Sequence, residues 1–352
     1  MTVGPETLRI QSEKTVTIRR ITDDSTRTLV SQYARAWDRA AGDLEDALLE
    51  VAVRLERGER LTLRQMNRVD RFQAALNRLA EQLDDLAAAG RVQIVNAVGD
   101  AVSVAREFQP RLIASQLPAS AGPTDAIAAQ LRDRAAGPAF DAIVTRSEQQ
   151  IVSAMRPISA QQSRALSDAL VRGITMGDNP RTVARDMLAR MEAAFAGGLT
   201  RTEMIARTEM LDAMRAADQL VNQANSDVVD GWQWYAQLDE RTCMACIAEH
   251  GNVYPNDQSG PDGHHNCRCT SLPVVRPWRD LGFDVDEPPS QVVDGETWFG
   301  SQPRDVQAAI AGPSRLGLLD DGLPFDRLVT VKQNAGWRQS HVVTPVRELV
   351  AG

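Results

Sequence analysis

The chain has 352 residues, of which 43% are hydrophobic and 24% charged, and its formal net charge is -8 at pH 7. This length exceeds what one hydrophobic core usually serves, so we expect two or three structural units. The acidic balance argues against bulk non-specific binding of nucleic acid, although it is compatible with one local basic face.

The sequence carries no sign of a membrane segment. No run of about 18 apolar residues occurs, and the N-terminus "MTVGPETLRIQSEK" lacks a basic region followed by an apolar one. We therefore expect no membrane association and a protein that is made and kept in a cytosol. Cysteines are reduced in that compartment, which disfavours disulfide bonds.

Residues 1–120 are predicted to form a helical N-terminal region. Apolar residues recur at helical spacing until Gly58, and a capping box of Thr62 and Gln65 begins a second helix. The apolar positions are Leu44, Leu48, Val51 and Leu55 in the first helix, and Val69, Phe72, Leu76, Leu79, Leu83 and Leu86 in the second. Because the second stripe covers fewer than about three heptads, it favours an antiparallel hairpin within the monomer over a long coiled coil.

A helical core is predicted for residues 121–230. It follows the segment 115–126, "SQLPASAGPTDA", whose small residues and two prolines are typical of a linker or mobile loop. Helix starts are predicted at three pairs of residues: Ser159 with Gln162, Asn179 with Pro180, and Thr200 with Glu203. In the last of these helices, Arg207 and Glu209 either form a buried charged network against the next unit or are ordinary solvated helix charges.

The hydrophobic period changes at Gly231, where a small β unit is predicted over residues 231–276. In "GWQWYAQLDERTC" the apolar residues alternate with more polar neighbours as in a half-buried strand: Trp232, Trp234, Ala236 and Leu238. "HGNVYP" predicts a turn and a second short strand, and "CRCTSLPVV" a third. Residues 277–352 are predicted to be a C-terminal extension with short helices. The predicted fold class is therefore mainly α, with one small β unit (α+β).

All four cysteines and three of the four histidines lie between Cys243 and Cys269. The spacing C-x2-C-x17-H-x2-C selects four of these residues as ligands of a structural zinc ion: Cys243, Cys246, His264 and Cys267. Two neighbours leave the choice open. His265 adjoins the first histidine, and Cys269 shares a face with Cys267 if that segment is extended, so either cysteine could be the fourth ligand.

Catalytic uses of this cluster are less well supported. The H-x-E element of a zinc deaminase is absent at His250, and the helical region upstream does not provide the βαβ context of a redox C-x-x-C. A catalytic zinc keeps an open position, whereas this cluster offers more than four ligands. The main rival is an HNH-like metal-dependent nuclease, suggested by "HHN" beside cysteines. Residues 239–276 carry five acidic and three basic side chains, which disfavours contact with a phosphate backbone.

Several ordered motifs resemble those of the phage Mu F-like head morphogenesis proteins, the minor capsid proteins of tailed bacteriophages. They are "ALVRGITMGDNPRTVARDML", "IARTEMLDAMRAA", "GWQWYAQLDERTCMACIAEHGNVY" and "GHHNCRC", spread over roughly residues 160–275. The family usually has proline after the histidine of the last motif, where this chain has His265, so His264 is the histidine that aligns. The resemblance also implies that Arg207-Thr208-Glu209 is a family signature.

The resemblance implies a structural protein of the virion rather than an enzyme. It predicts a location in the phage head interior, after a period in the host cytoplasm during assembly, and a role at the portal vertex. The portal protein is the implied partner, with scaffold, major capsid protein and packaged DNA as further candidates.

Overall fold

The computed structural model describes residues 3–57, 70–135, 137–154, 180–334 and 338–350. Five helices form most of the first two thirds of this part of the chain: α1 Pro5–Glu56, α2 Asp70–Ala114, α3 Thr124–Asp133, α4 Gly137–Ala154 and α5 Pro180–Ala224. The prediction of a mainly α fold is confirmed. No helix within the described ranges combines the length and the apolar character that crossing a membrane requires.

Helices α1 and α2 run antiparallel. Side-chain hydrogen bonds join Thr7 to Ser115 and Lys14 to Gln109 near one end of the hairpin. Farther along, Arg78 donates to Asp43, 2.7 Å from Nε to Oδ2. Because the partner numbers fall in α2 as they rise in α1, these bonds confirm the predicted helical hairpin.

The small β unit follows α5. Its elements are β1 Val229–Tyr235, α6 Met244–Glu249, β2 Val253–Pro255 and β3 Thr270–Val275. The three strands form an antiparallel sheet in the order β2-β1-β3, with Trp232 opposite both Tyr254 and Pro273. The three predicted strands are therefore present. Trp232, Trp234 and Ala236 are buried, but Gln233 between the tryptophans is buried too, so β1 is not the half-buried strand that the alternation predicts. The short helix α6 between β1 and β2 was not predicted.

The C-terminal region contains the expected short helices and an unpredicted hairpin. Its elements are α7 Gly295–Gly300, α8 Arg304–Ala311, α9 Pro313–Asp320, the antiparallel strands β4 Val329–Lys332 and β5 Ser340–Val343, and α10 Val346–Val350. One apolar cluster joins these elements to α6: Met244, Ile247, Phe299, Ala311, Leu316, Leu328 and Leu349. The C-terminal region thus packs on the helix that follows Cys243.

One detail of the sequence analysis is wrong. Thr200 and Glu203 do not begin a helix, because α5 runs through them as one helix of 45 residues. Good helix formers on both sides continue the hydrogen-bond ladder through Gly197 and Gly198. In the segment 115–126, Gln116 is fully buried and donates to the carbonyl of Pro273, whereas most residues from Ala119 onwards are exposed. That this segment is a linker or mobile loop stays a prediction.

Other predictions fall on residues outside the described part. These are the helix end at Gly58, the capping boxes of Thr62 with Gln65 and Ser159 with Gln162, the N-cap Asn179, and most of the first family motif.

The contacts divide the chain into two compact units. One contains Met1–Ile21, Val98–Arg146 and Thr208–Gly352, and the other contains Thr22–Ala97 and Ser147–Arg207. Each unit is assembled from separate segments, whereas the predicted boundaries at residues 120, 230 and 276 follow chain order. The boundaries at these three residues therefore remain predictions.

The first unit has a buried polar core near the start of α1. Lys14 Nζ lies 2.7 Å from both carboxylate oxygens of Asp218 and 2.9 Å from Gln109 Oε1, and all three residues are fully buried. One turn earlier, Gln11 donates to Thr270 Oγ1 on β3. Because positions 7, 11 and 14 share one face of a helix, a polar stripe of α1 is packed inside this unit.

Candidate metal centre

The first pair of cysteines lies where the chain leaves β1 and begins α6. An Asp-turn precedes it: Asp239 Oδ1 accepts hydrogen bonds from the backbone N–H of Arg241 and from Thr242 Oγ1. Cys243 is the N-cap residue of α6, with extended backbone angles, and Cys246 lies in the first helical turn. A turn followed by a helix start is how a C-x-x-C segment directs both sulfurs to one point.

The second pair lies on the turn before β3. The N–H of Cys267 donates to the carbonyl of His264, and Asn266 has a positive φ of 63°, which closes the turn. Gly263 lies against this turn, because a Cβ there would be only 2.2 Å from Cys267 Sγ. Cys267 and Cys269 are both buried.

The two turns bring five metal-binding side chains together. Two groups of three ligand atoms have all members within 4.8 Å of one another: Cys243, Cys246 and His264, and Cys246, Cys267 and Cys269. Cys246 belongs to both groups. No disulfide bond joins any of the four cysteines in the structure.

Three of the distances are close to those around a tetrahedral ion, although the two groups remain separate, since the Cys267 sulfur is more than 4.8 Å from the ligand atom of Cys243 or of His264. Two sulfurs at about 2.3 Å from zinc lie about 3.8 Å apart, and a sulfur and a histidine nitrogen about 3.6 Å apart. Cys246 Sγ is 3.7 Å from Cys267 Sγ and 3.6 Å from His264 Nε2. Cys243 Sγ is 3.2 Å from the same nitrogen, somewhat closer than ideal. The cavity lined by these residues has a volume of about 30 Å³, enough for one ion.

His264 has the environment of a metal-binding histidine. Its Nδ1 lies 2.7 Å from the backbone carbonyl of His265, so a proton on Nδ1 is donated there and Nε2 faces the sulfurs. Metal-binding histidines commonly donate their second ring nitrogen in this way, which fixes the tautomer. His265 contributes its carbonyl to this arrangement, while its side chain is exposed and is not part of either group of ligand atoms.

The thiols and the imidazole perturb one another strongly. Hydrogen bonds from Cys246 and His264 lower the pKa of Cys243 to about 5. The hydrogen bond with Cys243 raises the pKa of His264 to about 9, although burial opposes this shift. Cys267 has a lowered pKa because Cys246 and Cys269 donate to its sulfur. The protein therefore favours the thiolate form at Cys243 and Cys267, the form that binds metal, whereas the hydrogen bond with Cys243 raises the pKa of Cys246.

An ion pair connects the two cysteine-bearing turns. Arg268, between the last two cysteines, donates to both carboxylate oxygens of Asp239, at 2.8 Å and 3.0 Å. Burial raises the pKa of Asp239, but the hydrogen bonds from Arg268 and Thr242 outweigh it and lower that pKa to about 2. The carboxylate is thus ionised at neutral pH. It connects both turns, and neither Asp239 nor Arg268 is one of the candidate metal ligands.

Helix α5 contacts the second turn through hydrogen bonds between its side chains and the backbone of the turn. Thr208 Oγ1 accepts the N–H of Asn266, and Arg215 donates to the carbonyl oxygens of Cys267 and Cys269. One turn farther on, Gln219 donates to the carbonyl of Gln258 in the loop after β2. Residues 208, 212, 215 and 219 share one face of α5. This polar face contacts the backbone of the β unit.

The C-terminal hairpin contacts the second turn and the end of α6. Arg338 donates to Asp212 at 2.6 Å and 3.1 Å and to the carbonyl of Gly263 at 2.8 Å. His341 Nδ1 lies 2.7 Å from Glu249 Oε1, at the end of α6.

Glu209 was a candidate for a charged network, and its position is unusual. It is 6% exposed, and its Oε2 has no hydrogen-bond partner among the described residues. Burial and the nearby charge of Asp212 raise its pKa to about 7, and Arg146 and Arg338 oppose this shift. Thr208, between the two charged residues of the signature, accepts a hydrogen bond from the turn that carries Cys267.

Sequence reasoning missed Asp212, Arg215, Arg268 and Arg338, which hold the backbone and charges around the cluster. One signal was available: polar residues at helical spacing, from Thr208 to Gln219, in a helix that leads into a cysteine-rich unit. Such a stripe is a candidate for buried contacts with backbone carbonyls.

Fold and site together define a small β unit, attached to a long helix, whose cysteines and histidine could hold a metal ion. Residues 164–272 match the family model described as phage Mu protein F like protein. The matched segment includes most of the β unit with all five candidate ligands, and it ends before the C-terminal region. It supports the assignment to the phage head morphogenesis family. Neither a curated protein nor a solved structure matches the chain.

Proposed function

We propose that the protein is a non-enzymatic minor capsid protein of a tailed bacteriophage, which acts at the portal vertex during head assembly and holds a structural zinc ion. The family match over residues 164–272 supports the role in head morphogenesis. The single observation that carries the zinc proposal is that five candidate ligand side chains form two overlapping groups of three, which share Cys246.

Four residues would hold the ion: Cys243, Cys246, His264 and Cys267. Sulfur and imidazole ligands in tetrahedral arrangement favour zinc over harder ions such as Mg²⁺ or Ca²⁺. Cys267 is preferred over Cys269 as the fourth ligand because it completes the paired spacing and its sulfur is at a tetrahedral distance from Cys246. When bound, the ion would cross-link the turn before α6 to the turn before β3.

A structural role fits the surroundings of the cluster better than catalysis. Protein ligands can fill all four positions of the ion, so no position is needed for water or substrate. His264 faces the sulfurs, whereas the adjacent His265 is exposed, so the "HHN" string does not direct its two histidines to one point. The arrangement thus supports a cross-link within the fold.

The zinc proposal is tested by elemental analysis of protein prepared under reducing conditions without chelator. We expect one zinc per chain in the wild type and loss of zinc in Cys243→Ser and Cys246→Ser. Circular dichroism should show that the long helices remain, because they do not depend on the ion. Cys267→Ser should lose zinc and Cys269→Ser should keep it. A wild-type protein without metal, or with cysteines paired as disulfides, contradicts the proposal.

The assembly role is tested separately. We expect the purified protein to bind the phage portal protein and to be present in the mature head, as measured by co-purification and by mass spectrometry of particles. Incubation with duplex DNA and Mg²⁺ or Mn²⁺ should leave the DNA intact. Reproducible cleavage that His264→Ala abolishes would support the nuclease alternative.

A further inference from the structure

Arg215 is a buried charged residue that donates hydrogen bonds to the backbone of the cysteine cluster. Its side chain is 5% exposed. Nε donates to the carbonyl oxygen of Cys269 at 2.9 Å, and one terminal nitrogen donates to the carbonyls of Cys267 and Cys269 at 2.9 Å and 2.7 Å. The other terminal nitrogen donates to Asp212 at 2.7 Å.

These bonds constrain the conformation of the cysteine segment. Carbonyl groups two residues apart point the same way only when the chain between them is extended, and the side chains of those two residues then share a face. A single guanidinium that binds both carbonyls therefore holds both thiols on one side. Both sulfurs lie in the same group of ligand atoms as Cys246, in agreement with this reasoning.

We propose that Arg215 is a positioning residue of the metal centre, which holds the backbone of Cys267 and Cys269 so that their thiols face Cys246. The inference rests on the metal site proposed above. Arginine is suited to this task because its planar guanidinium presents several donors in a fixed geometry, whereas lysine offers one compact charge. Asp212 fixes the guanidinium in turn, and Arg338 of the C-terminal hairpin holds Asp212.

Gln219 provides a matched control. It lies one turn along the same face of α5, and it donates to backbone carbonyls of the β unit, those of Asn256 and Gln258. Those carbonyls belong to the loop after β2 and not to the cysteine turns. A variant at Gln219 thus removes a comparable tether between helix and loop without touching the ligand segment.

The test compares the full-length wild type with Arg215→Lys, Arg215→Met and Gln219→Leu. Zinc affinity is measured by competition with a chelator, and cobalt is bound in place of zinc to record the thiolate-to-cobalt charge-transfer absorption per ion. Loss of an outer contact to metal ligands typically weakens binding by about 10–100-fold. We expect that loss in both Arg215 variants, with weaker charge-transfer absorption, and wild-type values for Gln219→Leu.

Arg215→Lys keeps a positive charge in the buried site, so it decides the question if the methionine variant does not fold. Wild-type affinity and cobalt spectrum in Arg215→Lys would overturn the inference, and so would an equal loss in Gln219→Leu. If the wild type itself binds no metal, the proposed metal site fails as well. If the wild type binds metal and the Arg215 variants match it, only the role of Arg215 is refuted.

Discussion

The buried carboxyl of Glu209 should make the stability of the protein fall as the pH rises. Its pKa is about 7 in the folded protein, compared with 4.5 for an ordinary glutamate. Between these values the folded state binds the proton and the unfolded state has released it. A group that binds more protons when folded loses stabilising effect as the pH increases. Glu209→Gln, which cannot ionise, should remove this dependence.

The size of the effect follows from the two pKa values. Ionisation of the unfolded chain disfavours folding by about 0.8 kcal/mol at pH 5 and by about 3.3 kcal/mol at pH 8, where the folded carboxyl is also mostly ionised. The difference, about 2.5 kcal/mol, is the amount by which Glu209→Gln should gain stability relative to the wild type between these two pH values. Partial exposure of the surrounding charges makes this figure an upper value.

The assay is urea unfolding at pH 5 and pH 8, followed by circular dichroism, for the wild type, Glu209→Gln and the exposed control Glu148→Gln. Comparing variant with wild type at each pH cancels the titration of the thiols and histidines. Glu148→Gln should show the same small difference at both pH values. A gain for Glu209→Gln that is no larger at pH 8 than at pH 5 would refute the reasoning.

Two further changes probe the polar core and the cysteine turn. Lys14→Met should lower the free energy of unfolding by about 3–5 kcal/mol, because Asp218 would stay buried without its charged partner. Adding Asp218→Leu should recover much of that loss. Urea unfolding of the two single variants and the double variant tests this, and purely additive effects would contradict it. Gly263→Ala should abolish zinc binding, since its Cβ would lie 2.2 Å from Cys267 Sγ. The control is Gly300→Ala, whose Cβ would meet nothing within 4 Å, and it should keep one zinc per chain by elemental analysis. Equal zinc content in both variants would be evidence against a close fit around Cys267.

Local sequence patterns were sufficient for the elements that depend on neighbouring residues. The alternation of Trp232, Trp234 and Ala236 predicted β1, and the apolar stripes predicted the helical hairpin of α1 and α2. The cysteine and histidine spacing indicated which side chains would converge. In each case the signal lies within a few residues or in a spacing set by the chemistry of the ligand.

The remaining contacts depend on residues that are distant in sequence. Nothing near Lys14 shows that it will meet Asp218, and Arg215 reads as an ordinary helix charge until the turn of Cys267 and Cys269 is placed against it. The helix start predicted at Thr200 is wrong for a related reason. A capping box does not begin a helix where the flanking residues already keep the chain helical. Buried polar pairs are matched in three dimensions, so their partners cannot be read from one segment.

The polar stripe at the start of α1 has a consequence for synthesis of the protein on the ribosome. Asp218, the partner of Lys14, lies 204 residues later in the chain, and Thr270, the partner of Gln11, lies 259 residues later. At typical translation rates these partners are made on the order of ten to fifty seconds after the N-terminal helix. Until then this face of α1 lacks its partners from α5 and β3, so the buried polar core of the first unit can form only after most of this chain has been synthesised.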